Sequence, residues 1–173
     1  RKWRKPEIGW VKLNVDGSRN HEEPSAGCGG VIRDESGTWL LGFAKKLDPD
    51  ICDQAHRTEL QAILTGLELA SDMNVENLVV ESDSEPACNM VKSELRFKPH
   101  RSEHKIVQDI NRFLNHPKWQ ARLEHVPKTA NRVANHLAKR ARKSSFPHDH
   151  LSKYLVPPND SNQLFLDDNE QGV

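Results

Sequence analysis

The sequence contains no long apolar run. Its hydrophobic residues, 35% of 173, arrive in short blocks such as 62–69 and 78–80. None approaches the roughly 20 residues that a bilayer-crossing helix needs, so no membrane-spanning segment is expected. The start also lacks the apolar stretch of a secretory leader, carrying Arg1, Lys2, Arg4 and Lys5 instead. The default expectation is an intracellular protein of the nucleus or cytoplasm; its first residue is not Met, as in a fragment. Cysteine is scarce and odd in number. Cys28, Cys52 and Cys88 lie far apart and lack the paired spacings of zinc sites or disulfide frameworks, which predicts reduced thiols. An excess of charge of one sign is missing too: 25 Lys and Arg stand against 25 Asp and Glu, which argues against gripping nucleic acid through overall basicity. Only local clusters remain for that purpose, Arg1 to Lys5 at the start and Lys139, Arg140, Arg142 and Lys143 later on. The plainer account of both is a solvated end, which for the N-terminal cluster weighs about equally with nucleic-acid binding. Repeats and low-complexity tracts are absent.

What is present fits one domain with a modest tail. Residues 11–16 alternate, with Val11, Leu13 and Val15 on one side and Lys12 and Asn14 on the other, and run into a turn at Asp16-Gly17-Ser18. The stretch 26–34 is glycine-rich and then apolar, 35–37 marks a turn, and 38–46 is a third apolar run, giving an antiparallel meander. From Asp53 the period becomes helical through Leu60, Ile63, Leu64, Leu67 and Ala70, about five turns that stop near Asn74. Residues 77–82 form a short apolar strand of the doubly buried kind, placed after a helix as in a parallel crossover. Ser84 can cap a helix through Met90 and Val91. Another helix spans Ile106 to Leu114, a fifth strand 119–126, and a last helix 129–142. The predicted order is β-β-β-α-β-α-α-β-α, an α/β fold. From Ser144 onward the chain reads as a polar tail with Tyr154, Leu155, Leu164, Phe165 and Leu166 as candidate anchors.

Carboxylates stand at informative places in that order. Metal-assisted phosphodiester cleavage needs several hard oxygen ligands converging on one point, so that two divalent cations about 4 Å apart sit beside the substrate phosphates. Asp16 closes the first strand, Glu59 lies in the first turns of the long helix, and Asp83 follows the fourth strand. If those two strands are neighbours, Asp16 and Asp83 emerge side by side, and a helix crossing the sheet delivers Glu59 to the same spot. Singly, each has an ordinary explanation: a turn residue, a complement to the positive end of a helix, a helix-start residue. The three together, in this order, favour a common site.

VKLNVDGS with AGCGGVIRD, then TELQAILTGLELA, VVESDS and HVPKTANRVANHLAKRA, resemble the successive motifs of the ribonuclease H fold, particularly its plant retroelement-derived, reverse transcriptase-associated branch. The resemblance runs from about Gly9 to Arg142, and the ordered set is far more specific than any one motif. It implies domain limits of 1–8 (basic N-terminal segment), 9–143 (ribonuclease H-like domain) and 144–173 (polar C-terminal tail). It also implies a five-stranded mixed sheet, three strands antiparallel and two parallel, flanked by helices. Asp16, Glu59 and Asp83 become ligands for two Mg²⁺ or Mn²⁺ ions, the reaction becomes endonucleolytic cleavage of the RNA strand of an RNA:DNA hybrid, and the products carry 5′-phosphate and 3′-hydroxyl ends. No membrane partner is implied, and a monomer is expected.

The chain departs from the family at three places. A fourth carboxylate is expected four residues after Asn131, where Asn135 stands; an amide oxygen can ligate Mg²⁺ but brings a dipole in place of a charge. The alternative reading is therefore a catalytically degenerate ribonuclease H-fold module that binds nucleic acid or protein. His125, ten residues earlier, matches the family's mobile histidine and suits proton movement near neutrality. Glu22 and Glu23 follow the Asp-Gly-Ser segment and are expected to weaken or redirect phosphate binding. Just before Glu59, Ala55 and His56 occupy the place of family Asn residues that read the minor groove, so 2′-hydroxyl readout is assigned to backbone amides such as that of Gly17 and to Ser18, Ser84 and His56. The stretch 93–105 supplies Lys98, Arg101, Lys105 and Phe97 as a candidate phosphate-binding edge; a solvated helix connection is the plainer account. Other nucleases and integrases of this fold place their acidic residues in different settings.

Overall fold

The computed structural model describes residues 1–54, 56–93 and 103–170. Six strands make one sheet: β1 (Val11–Asn20), β2 (Ser25–Arg33), β3 (Trp39–Leu47), β4 (Asn77–Ser82), β5 (Gln120–His125) and β6 (Leu151–Tyr154), in the order β5-β4-β1-β2-β3-β6. β1, β2, β3 and β6 pair antiparallel, whereas β4 is parallel to both β1 and β5. The mixed α/β sheet is the expected one with a sixth strand added. That strand is only four residues long, Leu151 to Tyr154, and too short to show a period of its own.

Among the described residues five α-helices pack on the sheet: α1 (Arg57–Ser71), α2 (Glu85–Lys92), α3 (His104–Leu114), α4 (Arg132–Lys143) and α5 (Asn162–Glu170). α1 begins four residues later than its periodicity suggests: a 3₁₀ segment, Pro49–Asp53, is followed by extended Gln54 and left-handed His56 (φ 68°) before the helix starts at Arg57. Ser84 caps α2, its Oγ accepting from the Ala87 amide at 3.2 Å. One apolar core lies beneath α1 and α3, built from Leu13, Val15, Ile32, Leu60, Ile63, Leu67 and Ile110. A smaller one on the opposite face gathers Val31, Trp39, Val133 and Leu137 under α4, with Tyr154, Leu164 and Phe165 against it. Of the five anchors expected in the last segment, these three pack, whereas Leu155 and Leu166 are 77% and 44% exposed. Among the described residues no helix is long and apolar enough to cross a membrane.

Because helices lie on both faces, the polar side of β1 is buried as well. Lys12 and Asn14 look outward-facing in the sequence, yet both are enclosed. Asn14 is the hub: its Oδ1 accepts from Trp3 Nε1 (2.9 Å) and Arg33 (3.0 Å), and its Nδ2 donates to Glu81 (3.0 Å) and Asn131 (3.0 Å). Arg33 is fully enclosed, stacked 3.8 Å over the Trp3 ring and paired at 2.7 Å with Asp168 of α5. Lys12 lies 3.3 Å from Glu81. The first and last segments of the described chain thus close over one buried polar network.

Glycine sets the close approach of the layers. Gly17 was expected in a turn, but β1 continues through it to Asn20. A Cβ there would meet the Thr58 carbonyl carbon at 2.6 Å, and one at Gly29 would meet the Ala138 nitrogen at the same distance. Both are places where a helix backbone presses directly on a strand.

Candidate metal centre

Alternation along β1 directs Leu13 and Val15 towards α1 and Asn14, Asp16 and Ser18 towards α4. The helix answers each of the latter: Asn14 bonds to Asn131, Asp16 to Asn135 (Nδ2 to Oδ2, 2.9 Å) and Ser18 to Arg142 (Nε to Oγ, 2.8 Å). Asn131 also donates to the Val15 carbonyl at 2.9 Å, fixing the first turn of α4 against the strand.

Parallel pairing of β1 with β4 ends at Val15 opposite Ser82. Asp16, the next residue along β1 and still paired with Gly29 of β2, and Asp83, the first residue past the end of β4, lie side by side beyond that point. Glu59 comes from the first turn of α1, whose approach Gly17 permits, and its Oε2 accepts from the Gly17 amide at 3.1 Å. One oxygen from each of Asp16, Glu59 and Asp83 lies within 4.8 Å of the others. The convergence expected from the sequence is present in the fold.

Three carboxylates so close repel one another. Burial, reinforced by the charge of Asp83, raises the Asp16 pKa to about 6. Burial and the charges of Asp16 and Asp83 hold Glu59 well above the ordinary carboxylate range. The donors facing Asp16 are the Gly17 amide (2.9 Å) and Asn135 Nδ2. Hard oxygens gathered by the fold and short of positive charge are a donor set suited to a divalent cation.

The remaining expected residues fall around this centre. Asn135 turns an N–H, not its oxygen, towards Asp16, so ligation requires the amide to rotate. His125 ends β5 opposite Ser82, exposed at the same edge of the sheet as Asp83. His56 precedes α1 in a left-handed conformation (φ 68°), an uncommon state for a residue with a Cβ. The Ser84 hydroxyl is taken by the cap of α2, and the Gly17 amide is shared by Asp16 and Glu59. Glu22 and Glu23 form the exposed β1–β2 turn, more than about 13 Å along the hairpin from Asp16 at the usual strand rise. Lys98, Arg101, Phe97 and Ala55 lie outside the described residues, while Lys105 sits in α3 and pairs with Asp109 at 2.8 Å. Burial pushes the Cys28 thiol up to about 12, in keeping with an unreactive reduced group. Sequence reasoning missed Asn14, Arg33 and Asp168, none of which touches the carboxylates.

This sheet order, with one acidic residue midway along β1 and another just past β4, defines a ribonuclease H-like protein. Residues 14–141 match the family model described as reverse transcriptase-like, and the chain belongs to that family. It is 34% identical over 136 residues to the Arabidopsis thaliana protein named "putative ribonuclease H protein", which covers 79% of this chain but only 21% of that one. The chain therefore spans about a fifth of that relative's length. Among solved structures it resembles ribonuclease H1 of the archaeon Halobacterium salinarum (TM-score 0.66, 18% identity, 76% of this chain and 96% of that one). It also resembles LC11 ribonuclease H1, isolated from compost and solved in complex with an RNA/DNA hybrid (TM-score 0.62, 19% identity, 76% and 96%). A third is the foamy viral protease-reverse transcriptase, likewise with a hybrid (TM-score 0.61, 15% identity, 83% and 21%). At these identities the structural likeness establishes the fold.

Proposed function

We propose that this chain is a divalent metal-dependent endonuclease that cuts the RNA strand of RNA:DNA hybrids. The observation that carries the proposal is the meeting of Asp16, Glu59 and Asp83 within 4.8 Å, beside Asn135. These four residues would hold two Mg²⁺ or Mn²⁺ ions. Bound there, the ions supply the positive charge that offsets the scissile phosphate and lower the pKa of the attacking water. Water attacks phosphorus and the bond to the 3′-oxygen breaks, leaving 3′-hydroxyl and 5′-phosphate ends. Asp16, common neighbour of Glu59, Asp83 and Asn135, is the central ligand. His125, exposed at the same rim, is assigned to proton movement and product release. Ser18 and His56 flank the centre and take the contacts to the RNA strand. The Gly17 amide, held by Asp16 and Glu59, and the Ser84 hydroxyl, held by α2, fix the backbone on which the substrate rests.

The second reading, a degenerate module that binds nucleic acid or protein, draws on one observation: the N–H of Asn135 satisfies Asp16 without a cation, as a fourth carboxylate could not. Incubation with an end-labelled hybrid in Mg²⁺ and in Mn²⁺ separates the two. Cleavage confined to the RNA strand supports the enzyme. Absence of cleavage in both metals, with cleavage gained by Asn135→Asp, supports the module.

A further inference from the structure

The second basic cluster takes no part in the metal centre, apart from Arg142, which reaches Ser18. Arg132, His136, Lys139 and Lys143 repeat at intervals of four, three and four and so share one face of α4, about 16 Å long at the helical rise. A groove lined by Lys128, Arg132, Asn135, His136 and Lys139 begins beside the metal centre at Asn135. His136 and Lys139 also line an open pocket of about 670 Å³ between α4, β3 and β6, which contains Lys143, Phe146 and His150. Among the described residues that line it the one acid, Asp160, is engaged by Arg140 at 2.6 Å and lies 3.3 Å from His136. Among the described residues no carboxylate pairs with Lys139 or Lys143.

The far end of the pocket is aromatic. Phe146 stacks on His150 with ring centroids 3.9 Å apart and planes 14° from parallel, yet stays 49% exposed. The turn between them is held rigidly: the Asp149 amide donates to the Lys46 carbonyl (2.8 Å), the Lys46 amide donates to the His150 carbonyl (3.0 Å), and Asp149 keeps a left-handed φ of 67°. The left-handed region disfavours a residue with a Cβ, so neighbouring structure must hold Asp149 in place.

We infer that this groove and pocket bind a single-stranded segment of nucleic acid running on from the metal centre, with phosphates along Arg132, Lys139 and Lys143 and a base on the Phe146–His150 stack. A cationic track ending in an aromatic platform is how single strands are held without sequence preference, since every base has a face to stack and every nucleotide a phosphate. An acidic protein segment would use the lysines but not the platform. The inference rests on the proposed hybrid substrate for the origin of the strand, but its test needs no cleavage.

The test is fluorescence anisotropy of a labelled single-stranded RNA 12-mer with the whole chain in EDTA. The variants are Lys139→Glu/Lys143→Glu and Phe146→Ala, each verified as folded by circular dichroism and by unchanged Mn²⁺ uptake. The double charge reversal is expected to weaken binding at least tenfold and to lower the slope of log K against log salt by more than one. Phe146→Ala is expected to weaken it fivefold or more. A hybrid bearing a single-stranded RNA flank should bind more tightly than the same hybrid with blunt ends, an advantage that either variant removes. RNA binding unchanged by both variants overturns the inference. So does equal affinity for poly-glutamate with no effect of Phe146→Ala, which would mark an acidic protein partner. Failure of hybrid cleavage alone counts against the nuclease proposal and leaves this result standing.

Discussion

Asn135 Nδ2 donates to Asp16 Oδ2 at 2.9 Å, joining the first turns of α4 to the centre of β1 at the point where a cation is expected. The bond supplies part of the positive field that Asp16 lacks in the absence of metal. Asn135→Asp removes this donor and adds a fourth negative group. The metal-free variant should be less stable by about 1–3 kcal/mol, and Mg²⁺ should raise its melting temperature by more than it raises that of the native chain. Thermal scans at several Mg²⁺ concentrations check both.

The carboxylate cluster sets a pH dependence. Asp16 titrates near 6 in the folded state against an ordinary 3.8, so between these values the folded chain carries more protons than the unfolded one. Stability of the metal-free protein should therefore fall as pH rises through this window. Glu59 acts with the same sign. Glu59→Gln copies the neutral form, so its stability relative to the native chain should rise with pH through the acidic to neutral range, while turnover is lost. Urea unfolding in EDTA at pH 4, 5.5 and 7 measures the trend.

Asp168 pairs with fully enclosed Arg33, itself bonded to Asn14. Asp168→Ala leaves a buried charge unpaired and should cost about 3–5 kcal/mol. Replacing both partners with apolar residues should recover most of that loss, as read by urea midpoints. The final helix is then part of the domain's stability, and removing residues from 161 onward should destabilise the chain at least as much as the point substitution.

Gly29 lies opposite Asp16 and beneath α4. Gly29→Ala places a methyl group 2.6 Å from the Ala138 nitrogen, against helix backbone that cannot yield easily. It should cost about 1–3 kcal/mol and weaken cation uptake, because α4 carries Asn135. Calorimetric Mn²⁺ titration of the folded variant reads the second effect separately from the first.

Much of this arrangement was legible in the sequence. Asp16, Glu59 and Asp83 could be placed together because Glu59 falls in a helix's first turn, Asp83 just past a strand, and a parallel crossover joins the two strands; Asp16 was expected to close β1, which instead runs on to Asn20. Lys12 and Asn14 misled, since alternation marks the apolar face of a strand but does not say that the other face is open. Asn14 is covered through Asn131, 117 residues away, and Arg33 through Asp168, 135 residues away. Single polar residues at such separations leave no periodic trace. β6 was missed because four residues are too few to alternate convincingly. Gly17 was assigned to a turn when its smallness serves the contact with Thr58.

The central claim is that three acidic side chains act as one cation site, and Mn²⁺ titration of the whole chain, native and singly substituted, tests it most directly. Asp16→Asn, Glu59→Gln and Asp83→Asn should each lower affinity tenfold or more while the fold persists. Uptake that is absent in the native chain, or unaffected by all three substitutions, would contradict it.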